Sequence, residues 1–290
     1  VPGLHKPNGT TIADFFPTLD LRMMTEATRP LFVFLDDLGW APASVQHACA
    51  NLILARTING VPVAPCVSFG AASNRREDMA GVSGLLEPVK SRFSGIYHLD
   101  PDLGEWSQWY LEQEPELPPE VVAFLRFRPE LFHAFKPSRD MVQSPSPRTW
   151  HALARAFRDT PPPGTEYEVY KGAVGEGTAA EWMAYLSIYQ SPEYVAPEVI
   201  IHNPTGAPLP QMDSKSGPAI AYAIVGALAY RASDTNIGAI MTYGGRMSAE
   251  YGTLLVRDII ARAPKLAESG PVVRWCVDNH DVILPVKGGV

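Results

Sequence analysis

Asp36-Asp37 ends the apolar run Leu31-Phe32-Val33-Phe34-Leu35, and Ser73-Asn74 ends a second apolar run from Cys66 to Ala72. An acid pair directly after a strand is a metal-ligand or acid-base candidate, but taken alone it is more often a solvated turn or a helix cap. Asn74 taken alone reads as a strand-end turn residue. Two arginines join this set. Arg92 in Ser91-Arg92-Phe93, taken alone, reads as a surface charge at a helix end, with Lys90 as a nearby competing cation. Arg148 follows Ser146-Pro147, where proline can open a helix, so taken alone it reads as an ordinary first-turn arginine.

The elements that must position these residues are legible in the pattern. Leu31–Leu35 has the length and continuity of a parallel strand covered on both faces. Helical spacing follows in Val45, Ala48, Cys49, Leu52 and Ile53, with Pro42 and Ser44 suited to the helix entry. Asn59-Gly60 between Thr57-Ile58 and Val61-Val63 predicts a hairpin turn, and the Cys66–Ala72 run predicts the next strand. A right-handed crossover of this kind places Asp36, Asp37 and Asn74 at the carboxyl edge of one sheet, where open α/β folds bind ligands. Residues 1–30 show turn chemistry at Pro2-Gly3 and Pro7-Asn8-Gly9 and read mostly as loop.

Beyond residue 100 the class changes to helical. Amphipathic patterns predict helices at 105–113, 119–128, 147–157, 177–190, 219–232 and 248–263, and Pro161-Pro162-Pro163-Gly164 is the candidate hinge. Ser216–Tyr230 is too short to span a bilayer; it reads as a core helix with Ile220, Ala223, Ile224, Ala227 and Leu228 on one side. Trp106, Trp109, Phe124, Phe127, Phe132 and Phe135 read as helix packing rather than a base-stacking surface.

Composition narrows the function. The chain of 290 residues is 46% hydrophobic, enough for a sizeable core, and its 28 prolines predict many helix stops. Its 24 Lys and Arg against 31 Asp and Glu, with no basic stripe, argue against holding nucleic acid by phosphate neutralisation. Arg75-Arg76 is offset by Glu77-Asp78. Three dispersed cysteines, Cys49, Cys66 and Cys276, indicate neither a disulfide framework nor a zinc site, and a reducing, cytoplasmic setting is expected.

Taken in order, Leu31–Pro42 (LFVFLDDLGWAP), Gly70–Arg75 (GAASNR), Ser91-Arg92-Phe93, Phe124–Phe135 (FLRFRPELFHAF) and Ser146–Trp150 (SPRTW) resemble the MoxR branch of the AAA+ ATPases. The resemblance implies an α/β fold: a partial AAA+ P-loop core with a parallel sheet at 1–100, a helical lid at 101–160 and a helical extension at 161–290. It makes Asp36 the ligand of Mg²⁺ through water and Asp37 the acid that polarises the attacking water. The family usually has Glu there, one methylene longer, so slow or absent hydrolysis is an expected consequence. It makes Asn74 the first sensor, Arg92 an arginine finger acting on a neighbouring subunit's ATP, and Arg148 the second sensor on the lid. A ring follows, typically a hexamer, working with a von Willebrand factor A (VWA) domain partner on a protein client, away from membranes.

A P-loop enzyme also needs GxxxxGK[ST], and this sequence contains none. In the family that motif precedes the Leu31–Leu35 strand. The chain opens on Val1-Pro2 rather than Met, so a truncated copy is expected first and a degenerate ATPase second. Gly172–Thr178 (GAVGEGT) imitates the loop without its lysine, and Glu176 would repel phosphate, so its glycines read as helix entry. Gly81-Val82-Ser83-Gly84 lacks nucleophile-elbow spacing, and Asn279-His280-Asp281 reads as a polar tail turn. The expected function is therefore an ATPase that remodels or matures partner proteins; the alternatives are an inactive assembly or adaptor module and, more weakly, a DNA-remodelling motor.

Overall fold

The computed structural model describes residues 2–5, 12–15, 18–58, 60–75, 84–136, 138 and 140–283. Asn59, Arg76, Glu77-Asp78, Gly81-Val82-Ser83 and Pro7-Asn8-Gly9 lie outside the described residues. The chain divides into two compact units, Val1–Leu99 and Asp100–Val290. It is mostly helical, 57%, with a small parallel sheet of two strands. Among the described residues no helix is long and apolar enough to cross a membrane.

The first unit opens with an antiparallel pair, β1 (Pro2–His5) and β2 (Ile12–Phe15), where the sequence suggested mostly loop. Helix α1 (Leu19–Thr25) follows, and then β3 (Leu31–Leu35). A 3-10 turn at Leu38–Trp40 leads into α2 (Ala43–Ala55), and a short antiparallel pair, β4 (Thr57–Ile58) and β5 (Val61–Pro62), leads to β6 (Val67–Ala71). The predicted order of strand, helix, hairpin and strand is present. β3 and β6 pair in parallel, Leu31 against Val67 through Leu35 against Ala71. A short helix, α3 (Glu87–Lys90), completes the unit.

Arg56 ties this crossover together. It caps α2 in the left-handed conformation, φ 51°, and its guanidinium donates to the carbonyls of Ala64 at 3.0 Å and Val67 at 2.8 Å. The end of the helix is thereby fixed to the start of β6. One sheet face packs Val67, Leu31, Val33 and Phe69 with Met24, Val63 and Ala64. The other face departs from expectation: Phe32 is 62% and Phe34 54% exposed. An unbroken apolar run signals burial on both faces only when a second layer is present, and two strands with one covered face do not provide it. Phe32 instead lies across Gly70, where an added Cβ would come within 2.4 Å of the ring.

The second unit is helical: α4 (Leu103–Gln113), α5 (Glu120–Phe127), α6 (Pro147–Arg158), α7 (Glu166–Val174), α8 (Glu176–Leu186) and α9 (Pro197–His202) come first. Then come α10 (Gly217–Arg231), α11 (Ile237–Gly244), α12 (Ala249–Arg262), α13 (Gly270–Asp278) and α14 (His280–Ile283). The prolines of 161–163 stop α6 and precede α7, but Trp150 and Leu153 before them share one core with Tyr170 and Trp182 after them. Helix α10 is buried on all sides rather than one. Ala219 and Ala223 face the core built on Phe124, Trp150 and Trp182, while Ile220, Ile224 and Leu228 face a second core with Ile240, Leu255 and Ile259. A helix between two cores is apolar all round, so its periodicity is weak in the sequence.

The aromatic set divides. Phe124 and Phe132 are buried and Trp106 and Phe127 pack against them, but Trp109 and Phe135 are exposed. Gly175, from the P-loop imitation, ends α7 and opens α8 at φ 82°, a backbone position suited to glycine. In the tail cluster Asn279 is a turn residue that caps α13, and His280 and Asp281 belong to α14.

Candidate functional site

The parallel register decides the geometry of the acid site. β3 ends at Leu35 and β6 at Ala71, and the ladder continues one step further, with the Ala72 amide donating to the Leu35 carbonyl at 3.1 Å. The Leu38 amide then donates to the Ala72 carbonyl at 3.0 Å. Asp36-Asp37 is therefore held between two crossing hydrogen bonds to the residue that follows β6, and Asn74 lies two positions beyond it. The three side chains leave neighbouring parallel strands at one carboxyl edge.

Asp36, Asp37 and Asn74 are all exposed at that edge. One carboxylate oxygen of Asp36 accepts the Asp37 amide at 3.1 Å, so the acid also closes its own turn. Asp37 sits in the left-handed region at φ 50°, ψ 34°, and begins the 3-10 turn. Aspartate enters this region at lower cost than longer or branched side chains, because its short polar side chain can bond locally. The backbone thus supplies a reason for the shorter acid at this position.

Arg92 follows α3. Its Nη1 donates to Ser91 Oγ at 2.9 Å, while its Nε is buried with no hydrogen-bond partner among the described residues. Lys90, the competing cation, is paired with Glu87 one turn back. Val89 of α3 is fully buried in a cluster with Leu38 and Ala50, joined by Leu35, Ala41, Ala71 and Phe93. The ends of β3 and β6 and the helix preceding Arg92 thus share one apolar cluster.

Arg148 belongs to the second unit, exposed in the first turn of α6. Its backbone is firmly set. Ser146 and Thr149 form a reciprocal capping box, the Ser146 amide donating to Thr149 Oγ1 at 2.8 Å and the Thr149 amide to Ser146 Oγ at 3.3 Å. Two residues on, the fully buried Trp150 donates Nε1–H to the Leu131 carbonyl at 2.8 Å.

Sequence reasoning missed Gln46, a 1% exposed amide on α2 that touches both the acid turn and the segment leading to Arg92. Nothing in its flanking residues distinguishes it from a solvent-facing helix position. A cleft of about 500 Å³ lies in the helical unit, lined by Leu103, Ser107, Arg126, Tyr222, Tyr251 and Leu254. None of the five residues selected from the sequence lines it.

Among the described residues no group of three His, Cys, Asp or Glu side chains comes together to hold a metal. Mg²⁺ in proteins needs only one or two carboxylates, since it keeps its water and arrives with phosphates, and Asp36-Asp37 offers two exposed carboxylates. Asp36 would hold it through water, and the ion would supply charge neutralisation. Compared with known proteins, the chain matches no protein-family model, no curated protein and no solved structure.

Proposed function

We propose that the protein is a MoxR-like AAA+ ATPase that hydrolyses ATP with Mg²⁺ to drive remodelling or maturation of partner proteins. One observation carries the reading: the in-register parallel pairing of β3 and β6, which brings Asp36-Asp37 and Asn74 to one carboxyl edge. That edge is where open α/β sheets take their ligands. An acid pair beside a neutral amide suits phosphoryl transfer, the carboxylates attracting the cation and the amide orienting water without adding negative charge.

The remaining roles belong to the same reading. Arg92 acts as the arginine finger toward a neighbouring subunit and Arg148 as the second sensor, within a homo-oligomeric ring of hexameric type. A VWA-domain protein and a protein client are the partners, the cytoplasm is the setting, and nucleic acid is disfavoured by a formal net charge of −7. The second reading, a catalytically inactive assembly or adaptor module, is favoured by a sequence in which GxxxxGK[ST] does not occur.

Phosphate release from ATP by the purified protein separates the two. Turnover that requires Mg²⁺ and disappears in Asp36→Ala supports the ATPase. Equal turnover in Asp36→Ala refutes the metal role, and absence of turnover in a full-length protein whose upstream coding sequence also carries no GxxxxGK[ST] favours the adaptor.

A further inference from the structure

We infer that Gln46 is a positioning residue that locks the helix preceding Arg92 to the acid turn. The inference rests on the ATPase reading for its purpose and on hydrogen bonds for its existence. Gln46 Nε2 donates to the Ala41 carbonyl at 3.0 Å and to the Gly84 carbonyl at 3.2 Å, and Gln46 Oε1 accepts the Leu86 amide at 3.0 Å. Ala41 caps the 3-10 turn that Asp37 begins, and Leu86 caps α3. A single buried amide thus joins the far end of the acid turn to the start of the helix that ends one residue before Ser91-Arg92.

The chemistry of the side chain is specific. Joining two carbonyls and an amide requires two donors and one acceptor on one neutral group, which only a carboxamide supplies. Asparagine is one methylene shorter, and glutamate keeps the acceptor but loses both donors and buries a charge. Methionine fills similar space and leaves three backbone groups without this partner, a costly outcome at a site 1% exposed. Helix α3 has only four residues, too few to hold itself, so its position depends on Val89 in the apolar cluster and on this amide. Movement of the acid turn on binding a ligand would reach Arg92 through the same contacts.

Hydrogen exchange on the full chain, comparing wild type with Gln46→Met and Gln46→Glu, tests the lock without nucleotide. In Gln46→Met the amides of residues 86–92 should exchange about tenfold faster, the factor that corresponds to 1.4 kcal/mol of lost local stability, while β3 and β6 keep their protection. Gln46→Glu retains the acceptor for Leu86 but sets a buried carboxylate against the Ala41 and Gly84 carbonyls, and should lose at least as much protection as Gln46→Met. Unchanged protection at 86–92, or equal loss in β3 and β6, overturns the proposal.

Steady-state ATP turnover then tests its purpose. Gln46→Met should lower kcat at unchanged KM, and in an Arg92→Ala background it should cause no further loss, because it acts only through Arg92. Additive losses overturn the link to Arg92. Absence of turnover in a wild-type protein that carries GxxxxGK[ST] upstream of Val1 refutes the ATPase reading instead, and the exchange data alone then decide the lock.

Discussion

Replacing Asp258 by asparagine should destabilise the helical unit strongly while changing almost no volume. Arg126 on α5 and Asp258 on α12, 132 residues apart in sequence, form a two-pronged ion pair with Nη2 to Oδ1 at 2.8 Å and Nη1 on the other oxygen. The side chains are only 10% and 3% exposed. Asparagine preserves the shape and one acceptor but leaves the guanidinium charge buried without its counter-charge, a change that typically costs about 3–5 kcal/mol. At roughly 2–4 °C per kcal/mol for a unit of this size, the melting temperature should fall by about 6–20 °C. Removing both charges is a different perturbation. Arg126→Met with Asp258→Leu should recover most of the loss, since a well-packed apolar pair often equals a buried ion pair. Urea unfolding followed by the fluorescence of the buried Trp150 and Trp182 provides the free energies. A loss below about 1 kcal/mol in Asp258→Asn would place the pair with solvent-screened surface bridges and refute the burial argument.

Three further predictions concern the acid turn and a buried carboxylate. Asp37→Gly should stabilise the first unit by up to about 1 kcal/mol, because glycine adopts a left-handed backbone without a Cβ penalty. Asp37→Glu should lower ATP turnover for the same backbone reason, and a higher turnover would show that reach, not conformation, sets the rate. Glu120 has one carboxylate oxygen buried without a partner among the described residues, and burial raises its pKa above the ordinary 4.5. The native state then holds this proton more tightly than the unfolded chain, so the contribution of Glu120 to stability is greatest at low pH and declines as pH rises past 4.5. Glu120→Gln should therefore melt higher than wild type at pH 8 and lose that advantage near pH 4.5, and a pH-independent difference would exclude the burial effect.

The sequence by itself determined the elements whose signals are local. An unbroken apolar run ending in two acids marked β3, and Pro147 after Ser146 marked the start of α6, because strand length and helix entry are written in neighbouring residues. Helices without such signals were not legible: α9 has six residues and α11 eight, both shorter than a reliable period. Burial was legible only in part, since Phe32 and Phe34 have the pattern of covered residues while the cover is a property of the assembled layers. The placement of Asp36, Asp37 and Asn74 at one edge followed from the crossover. Three things were decided only by tertiary structure: the left-handed Asp37, the Gln46 contacts made 38 and 40 residues away, and the Arg126 to Asp258 pair. A polar side chain carries no sequence signal for a partner distant along the chain, because that partner is chosen by packing and not by period.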